Sequence, residues 1–171
     1  LPSRELITDS IETMAEAHHF DGLVFLAGCD KIVPAMARAA GRLNLPCVFV
    51  TGGPARPGFY KGKDYAGYQV REASAKMLSG EISEAEYDEM EKCVCTGPGS
   101  CPMMGTANTM SCLMEPLGLA LPGCGTCHAT EAAKKRYALQ SGRLIMELVR
   151  KNRRPRDYIN REMFLNVIRV D

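Results

Sequence analysis

The stretch that decides the fold is "GLVFLAGCDKIVPAMARAAGRLNLPCVFVTGG", residues 22–53. Two short apolar runs bounded by glycine or proline, 23–27 and 47–51, read as strands. The segment between them carries its apolar side chains at helical spacing. Strand, helix and strand in this order make a β-α-β unit, whose right-handed crossover sets the two strands parallel. The predicted fold class is therefore α/β, a parallel sheet flanked by helices.

In open α/β sheets, ligands collect outside the carboxyl ends of the strands. That rule puts "GCDK" (28–31) and "TGGPARPG" (51–58) on the functional edge. Cys29, Asp30 and Lys31 then place a soft ligand, a hard ligand and a cation in one turn. Asp30 is expected to be the N-cap of the crossover helix, with Pro34 early enough to be tolerated there. The plainer reading of the same residues is a buried thiol, a helix cap and a solvated lysine.

Upstream, Leu6, Ile7, Ile11, Met14 and Ala15 predict an amphipathic helix over 3–17. His18 and His19 fall at its end, where positive charge suits the helix dipole. Downstream, the polar, glutamate-rich segment 64–92 reads as two surface helices, with Ser83 and Glu86 spaced as a capping box. Gly97, Pro98 and Gly99 force a tight loop before Cys101, and a Met-rich helix should follow and stop near Gly118. A long helix is expected through 129–152 and a last one from about Asn160.

With 171 residues, 46% of them hydrophobic and 24% charged, one globular domain is expected. A net charge of +1, six tyrosines, five phenylalanines and no tryptophan give neither a basic footprint nor a stacking platform for nucleic acid. The apolar runs fall far short of the roughly 20 residues a membrane span needs, and no signal segment opens the chain, so a cytoplasmic protein is expected. The chain begins without an initiator Met and stops inside an apolar-periodic segment, as a piece of a longer protein would.

Eight cysteines exceed what a cytosolic domain of this length needs, and point to buried thiols together with a metal centre. Cys101 lies on a glycine-walled loop just before a helix, where positive potential favours the thiolate. Cys93, Cys95, Cys124 and Cys127 form C-x-C and C-x-x-C pairs that suggest a tetrahedral zinc site in a non-catalytic module. Cys124 to His128 also matches a haem-attachment pattern, though haem attachment would call for export and an aromatic pocket. A nucleotide binder would need a G-x-G-x-x-G, which follows neither strand.

Taken together, "LPSRELITDSIE" (1–12), "GCDKIVPAMARAAGRLNLPCVFVTGGP" (28–54) and "GSCPMMGTANTMSCLMEPLGLALPG" (99–123) resemble the dihydroxy-acid and sugar-acid (phosphogluconate) dehydratases. The resemblance covers essentially the whole chain and implies that residues 1–171 are part of the N-terminal iron–sulfur domain, truncated at both ends, with the C-terminal domain absent. It implies a hydro-lyase that converts a 2,3-dihydroxy carboxylic acid into a 2-keto acid, with dihydroxy-isovalerate of branched-chain amino-acid biosynthesis favoured and an aldonate or phosphogluconate as the alternative. It also implies a homodimer or homotetramer.

The same resemblance implies that Cys29 and Cys101 are two of three thiolate ligands of an iron–sulfur cluster, two-iron or four-iron. Asp30 and Lys31, the lysine as a carbamate, would hold a magnesium ion. A soft thiolate prefers iron and sulfide while hard oxygen prefers magnesium, so adjacent residues can serve two centres. The third cysteine, a further magnesium carboxylate and the catalytic base, a serine alkoxide, are expected outside these residues, and the fragment alone is expected to be inactive. The "CGTCHAT" loop would carry no ligand.

Overall fold

The computed structural model describes residues 2–170. The opening stretch forms strand β1 (Leu23–Ala27), helix α2 (Ile32–Leu43) and strand β2 (Cys47–Thr51), preceded by helix α1 (Pro2–Ala17). The two strands pair in parallel, with Leu23 opposite Cys47 and Ala27 opposite Thr51. A hairpin of β3 (Gly58–Tyr60) and β4 (Lys63–Tyr65) follows, then helices α3 (Gly67–Leu78), α4 (Glu84–Cys93) and α5 (Thr106–Leu113). Helices α6 (Ala132–Arg150), α7 (Pro155–Tyr158) and α8 (Arg161–Val170) complete the chain.

Every residue of β2 is buried. Phe49 packs at a tilt against Phe25 with ring centroids 4.8 Å apart, and both belong to a core shared with Val33, Met114, Leu119 and Val167. α6 packs along the strands and buries Ser141 and Ile145. The free edge of β2 is taken by the segment after α5, where the Phe49 amide donates to the Leu119 carbonyl at 2.7 Å. On the far side of α2, buried Thr8 ties α1 down by donating to the carbonyls of Ala35 (3.1 Å) and Arg4 (2.8 Å).

Three expectations change. Asp30 is not a helix cap: α2 starts after Lys31, no side chain caps it, and the Cys29 carbonyl instead accepts from the amides of Ile32 and Val33. The Asp30 carboxylate instead accepts from the ammonium of its neighbour Lys31. Residues 58–65 form a hairpin rather than loop and helix, because Lys61 and Gly62 both take positive φ, 45° and 83°, and make the tight turn that suits a hairpin. The Met-rich helix is also short, since Gly118 at φ 73° lies in a turn five residues past its last residue, Leu113. Ser83 does cap α4, accepting from the Glu86 amide at 3.2 Å. His18 and His19 sit exposed just past α1.

The Cys47 thiol is 1% exposed, and burial pushes its pKa up to about 12. Above pH 9 the thiol of the unfolded chain ionises while the folded one stays neutral, so this group's contribution is whole below pH 9 and is lost as pH rises toward 12. Stability measured by urea denaturation should therefore fall across that window. In Cys47→Val the fall should be shallower by an amount on the order of a few kcal/mol. Equal slopes in the two proteins would contradict this.

Candidate functional site

The last pair of the parallel ladder, Ala27 opposite Thr51, fixes where the two post-strand loops emerge. The Gly52 amide donates to the Ala27 carbonyl at 2.7 Å, and a Cβ at Gly52 would sit 3.5 Å from the Gly28 Cα. Gly28-Cys29-Asp30-Lys31 and Gly52-Gly53-Pro54 therefore leave the sheet edge as touching neighbours. Cys29 is exposed, and beyond it the Lys31 ammonium donates to the Asp30 carboxylate at 2.5 Å. Both side chains are more than 40% exposed.

A second segment reaches the same edge from far along the chain. The Ser100 amide donates to the Gly53 carbonyl at 2.9 Å, and the Ala55 amide donates to the Ser100 carbonyl at 2.8 Å, a short parallel bridge onto the loop after β2. Gly99 makes the approach possible: its φ is 132°, and a Cβ there would collide with the Ala55 backbone. Cys101, next in sequence, is exposed. The structure thus places Cys29, Asp30 and Lys31 on the loop after β1, and Cys101 one residue past the Ser100 bridge onto the loop after β2. Only Asp30 and Lys31 touch by hydrogen bond.

A third segment locks the edge from behind. The Lys134 ammonium, near the start of α6, donates to the Thr51 carbonyl at 3.0 Å and to the Cys124 carbonyl. The Glu115 carboxylate accepts from the Gly123 and Gly125 amides at 2.8 and 2.7 Å, fixing the turn that carries Cys124. Neither residue stands out in the sequence, where a lysine on a basic helix and a glutamate before proline look like solvated surface.

A cleft of about 530 Å³ opens beside the Cys101 loop, with Arg56, Asp64, Met103 and His128 among its walls. A smaller one of about 240 Å³ holds Cys95 and Cys101 on a common wall.

The other thiols separate by environment. Cys47, Cys124 and Cys127 are buried. Burial raises the Cys127 pKa, its hydrogen bond to Glu131 adding to the effect, and burial raises that of Cys112 with help from Glu115. Among the described residues no three His, Cys, Asp or Glu side chains converge as a metal site. That holds for the four-cysteine zinc set and for Cys29, Asp30 and Cys101 alike; in the zinc set, Cys124 and Cys127 belong to the turn held by Glu115 while Cys93 ends α4. The haem pattern fares no better, with both its thiols buried and the His128 Nδ1 3.3 Å from the Pro54 carbonyl oxygen.

Residues 1–171 match the family described as dihydroxy-acid/6-phosphogluconate dehydratase N-terminal. The chain belongs to this family. It is 48% identical over 171 residues to the dihydroxy-acid dehydratase of Methanothermobacter thermautotrophicus. It is 50% identical to that of Methanococcus vannielii and 51% identical to that of Halothermothrix orenii, again over 171 residues. In each case 100% of this chain aligns with 31% of the relative, so the chain spans about a third of the length of the curated dehydratases it matches. Among the described residues no helix is long and apolar enough to cross a membrane.

Family membership agrees with a mixed α/β fold in which a parallel two-stranded sheet is flanked by helices. The burial pattern gives an order of thiol reactivity. Iodoacetamide at pH 8, followed by peptide mapping of metal-free protein, should label Cys29, Cys95 and Cys101 first. Cys47, Cys124 and Cys127 should react only after unfolding. Early labelling of Cys124 or Cys127 would contradict the placement of their turn.

Proposed function

We propose that this chain supplies part of the active site of a hydro-lyase that converts a 2,3-dihydroxy carboxylic acid into a 2-keto acid, with Cys29 and Cys101 as ligands of an iron–sulfur cluster and Asp30 and Lys31 as ligands of magnesium. The observation that supports this reading is an exposed thiol beside a carboxylate–amine pair on the loop after β1, with a second exposed thiol one residue past the bridge that joins Ser100 to the loop after β2. The relatives, at about 50% identity, are named dihydroxy-acid dehydratases, which favours a dihydroxy acid over a sugar acid.

The donor chemistry fits both groups. Exposed sulfur, unlike the buried thiols, gains access to a soft metal without first paying for desolvation. Magnesium takes oxygen donors and keeps several waters, so an exposed carboxylate in a turn suits it. An ammonium cannot ligate magnesium. Lys31 becomes an oxygen donor when its ammonium loses one proton to give the free amine, which adds carbon dioxide and releases a second proton, giving a carbamate whose negative end replaces the cation now paired with Asp30. Two thiolates leave room for a third ligand and for one open iron position.

Bound at this edge, the two centres supply Lewis acidity at the leaving C3 hydroxyl and at the substrate carboxylate and C2 hydroxyl. The overall change removes the C2 proton and the C3 hydroxyl as water, leaves an enol, and ends when the enol takes up a proton at C3 to give the ketone. In this division Cys29 and Cys101 hold, Asp30 and Lys31 hold and orient, and the proton acceptor belongs to the protein beyond residues 1–171. We place these residues within an N-terminal domain, and assign a cytoplasmic homodimer or homotetramer to the full-length protein.

The test uses the full-length protein that contains this chain, purified without oxygen. Iron and acid-labile sulfide should be present in stoichiometric amounts, and 2-keto acid should form from dihydroxy-isovalerate faster than from an aldonate. Cys29→Ser and Cys101→Ser should each lower cluster content and cut activity by about 100-fold or more, as loss of a metal ligand does. Asp30→Asn should keep the iron and lose activity that added magnesium restores only in part. Stoichiometric zinc in place of iron, kept in Cys29→Ser, would overturn the proposal.

A further inference from the structure

Ser100, Cys101 and Met103 are held by one side chain that plays no part in the ligand set. Asn108, in the first turn of α5, is only 6% exposed. Its Nδ2 donates to the Cys101 carbonyl at 2.8 Å and to the Met103 carbonyl at 2.7 Å, and its Oδ1 accepts from the Ser100 hydroxyl at 2.8 Å. The amide cannot be reversed, because the oxygen would then face two carbonyl oxygens. Ser100 is itself 6% exposed and stitched through its backbone to Gly53 and Ala55. An unbroken path of hydrogen bonds thus runs from the tip of β2 through Ser100 and Asn108 to the backbone on both sides of Pro102. That proline already restricts Cys101 to extended backbone.

We infer that Asn108 is a positioning residue, whose amide presets the Cys101 loop so that the thiolate is presented to the cluster without a cost in loop ordering. This rests on the reading of Cys101 as a cluster ligand. A loop outside regular structure gains its order from such contacts, and groups behind metal ligands typically change metal affinity by about 10–100-fold when removed. Asn108 is distinct from a mere stabiliser because its two donors act on the ligand's own segment.

The experiment compares the full-length holoenzyme with Asn108→Asp, an isosteric change that keeps the acceptor for Ser100 and removes both N–H donors. Thr8→Val serves as control: it removes a buried hydrogen bond from α1 to the Ala35 carbonyl of α2 and a second one to the Arg4 carbonyl within α1. Each protein is challenged anaerobically with an iron chelator, and the rate of iron release is read beside the thermal midpoint and the electron paramagnetic resonance of the reduced cluster. Asn108→Asp should release iron roughly 10-fold faster or more and shift the resonance. Thr8→Val, even with an equal fall in midpoint, should stay within about twofold of the unmodified enzyme. If Asn108→Asp fails to fold, Ser100→Ala, which leaves the amide but frees its orientation, should give the same sign of change. Release that merely follows the fall in midpoint in both variants would overturn the inference alone. An enzyme without a cluster, or Cys101→Ser holding iron as firmly as the unmodified protein, would overturn the assignment of Cys101 and the inference with it.

Discussion

Everything at the functional edge hangs on β2 being satisfied on both faces and both edges. Its backbone pairs with β1 on one side and with the segment at Leu119 on the other, while Phe49 packs into the core with Phe25 and α6 lies along the strands. A strand so enclosed cannot shift register without exposing its apolar residues or orphaning its amides, and a slip of one residue would turn every side chain to the wrong face. The point where the chain leaves Thr51 is therefore fixed. Three separate segments use it as their anchor: Gly28 by contact with Gly52, Ser100 by a parallel bridge, and Cys124 through Lys134.

Rigidity at that point matters for chemistry because the four proposed donors come from two places 70 residues apart in sequence, near 30 and near 100. Neither post-strand loop has regular structure of its own. The loop after β2 and the segments around it, the Cys101 segment among them, approach each other through glycines that a side chain would exclude, Gly53 against the Cys127 carbonyl and Gly99 against Ala55. The same arrangement separates the thiols by role. Those that pack the sheet and the supporting turn are buried, with ionisation disfavoured at Cys47 and Cys127, whereas Cys29 and Cys101 face solvent.

Much of this was legible in the sequence, for identifiable reasons. The β-α-β unit announced itself because strand and helix periods differ and glycine and proline punctuate them, and the edge location of "GCDK" and "TGGPARPG" followed from a general rule about parallel sheets. The resemblance of the three long motifs agreed with the family later found by comparison. What stayed hidden depended on contacts between distant residues. The 58–65 hairpin was masked by a charged "KGK" turn, though aromatic residues on either side of a residue–Gly pair were an available signal. Asp30 looked like a cap because its competitor, the ammonium of Lys31, lies one residue away and local capping rules do not weigh it. Lys134, Glu115 and Asn108 gave only the faint sign of polar residues among apolar ones, and only folding reveals which backbone groups they meet.

The central claim, that one sheet edge feeds two inorganic centres of opposite preference, is tested most directly by a crystal structure of the anaerobically prepared full-length protein with anomalous diffraction recorded at the iron absorption edge. The expected result is an iron peak bonded to the sulfurs of both Cys29 and Cys101, with a lighter cation beside Asp30 and Lys31. Iron seated at any of Cys93, Cys95, Cys124 or Cys127 instead, or the two sulfurs of Cys29 and Cys101 facing separate regions with no metal between them, would contradict it.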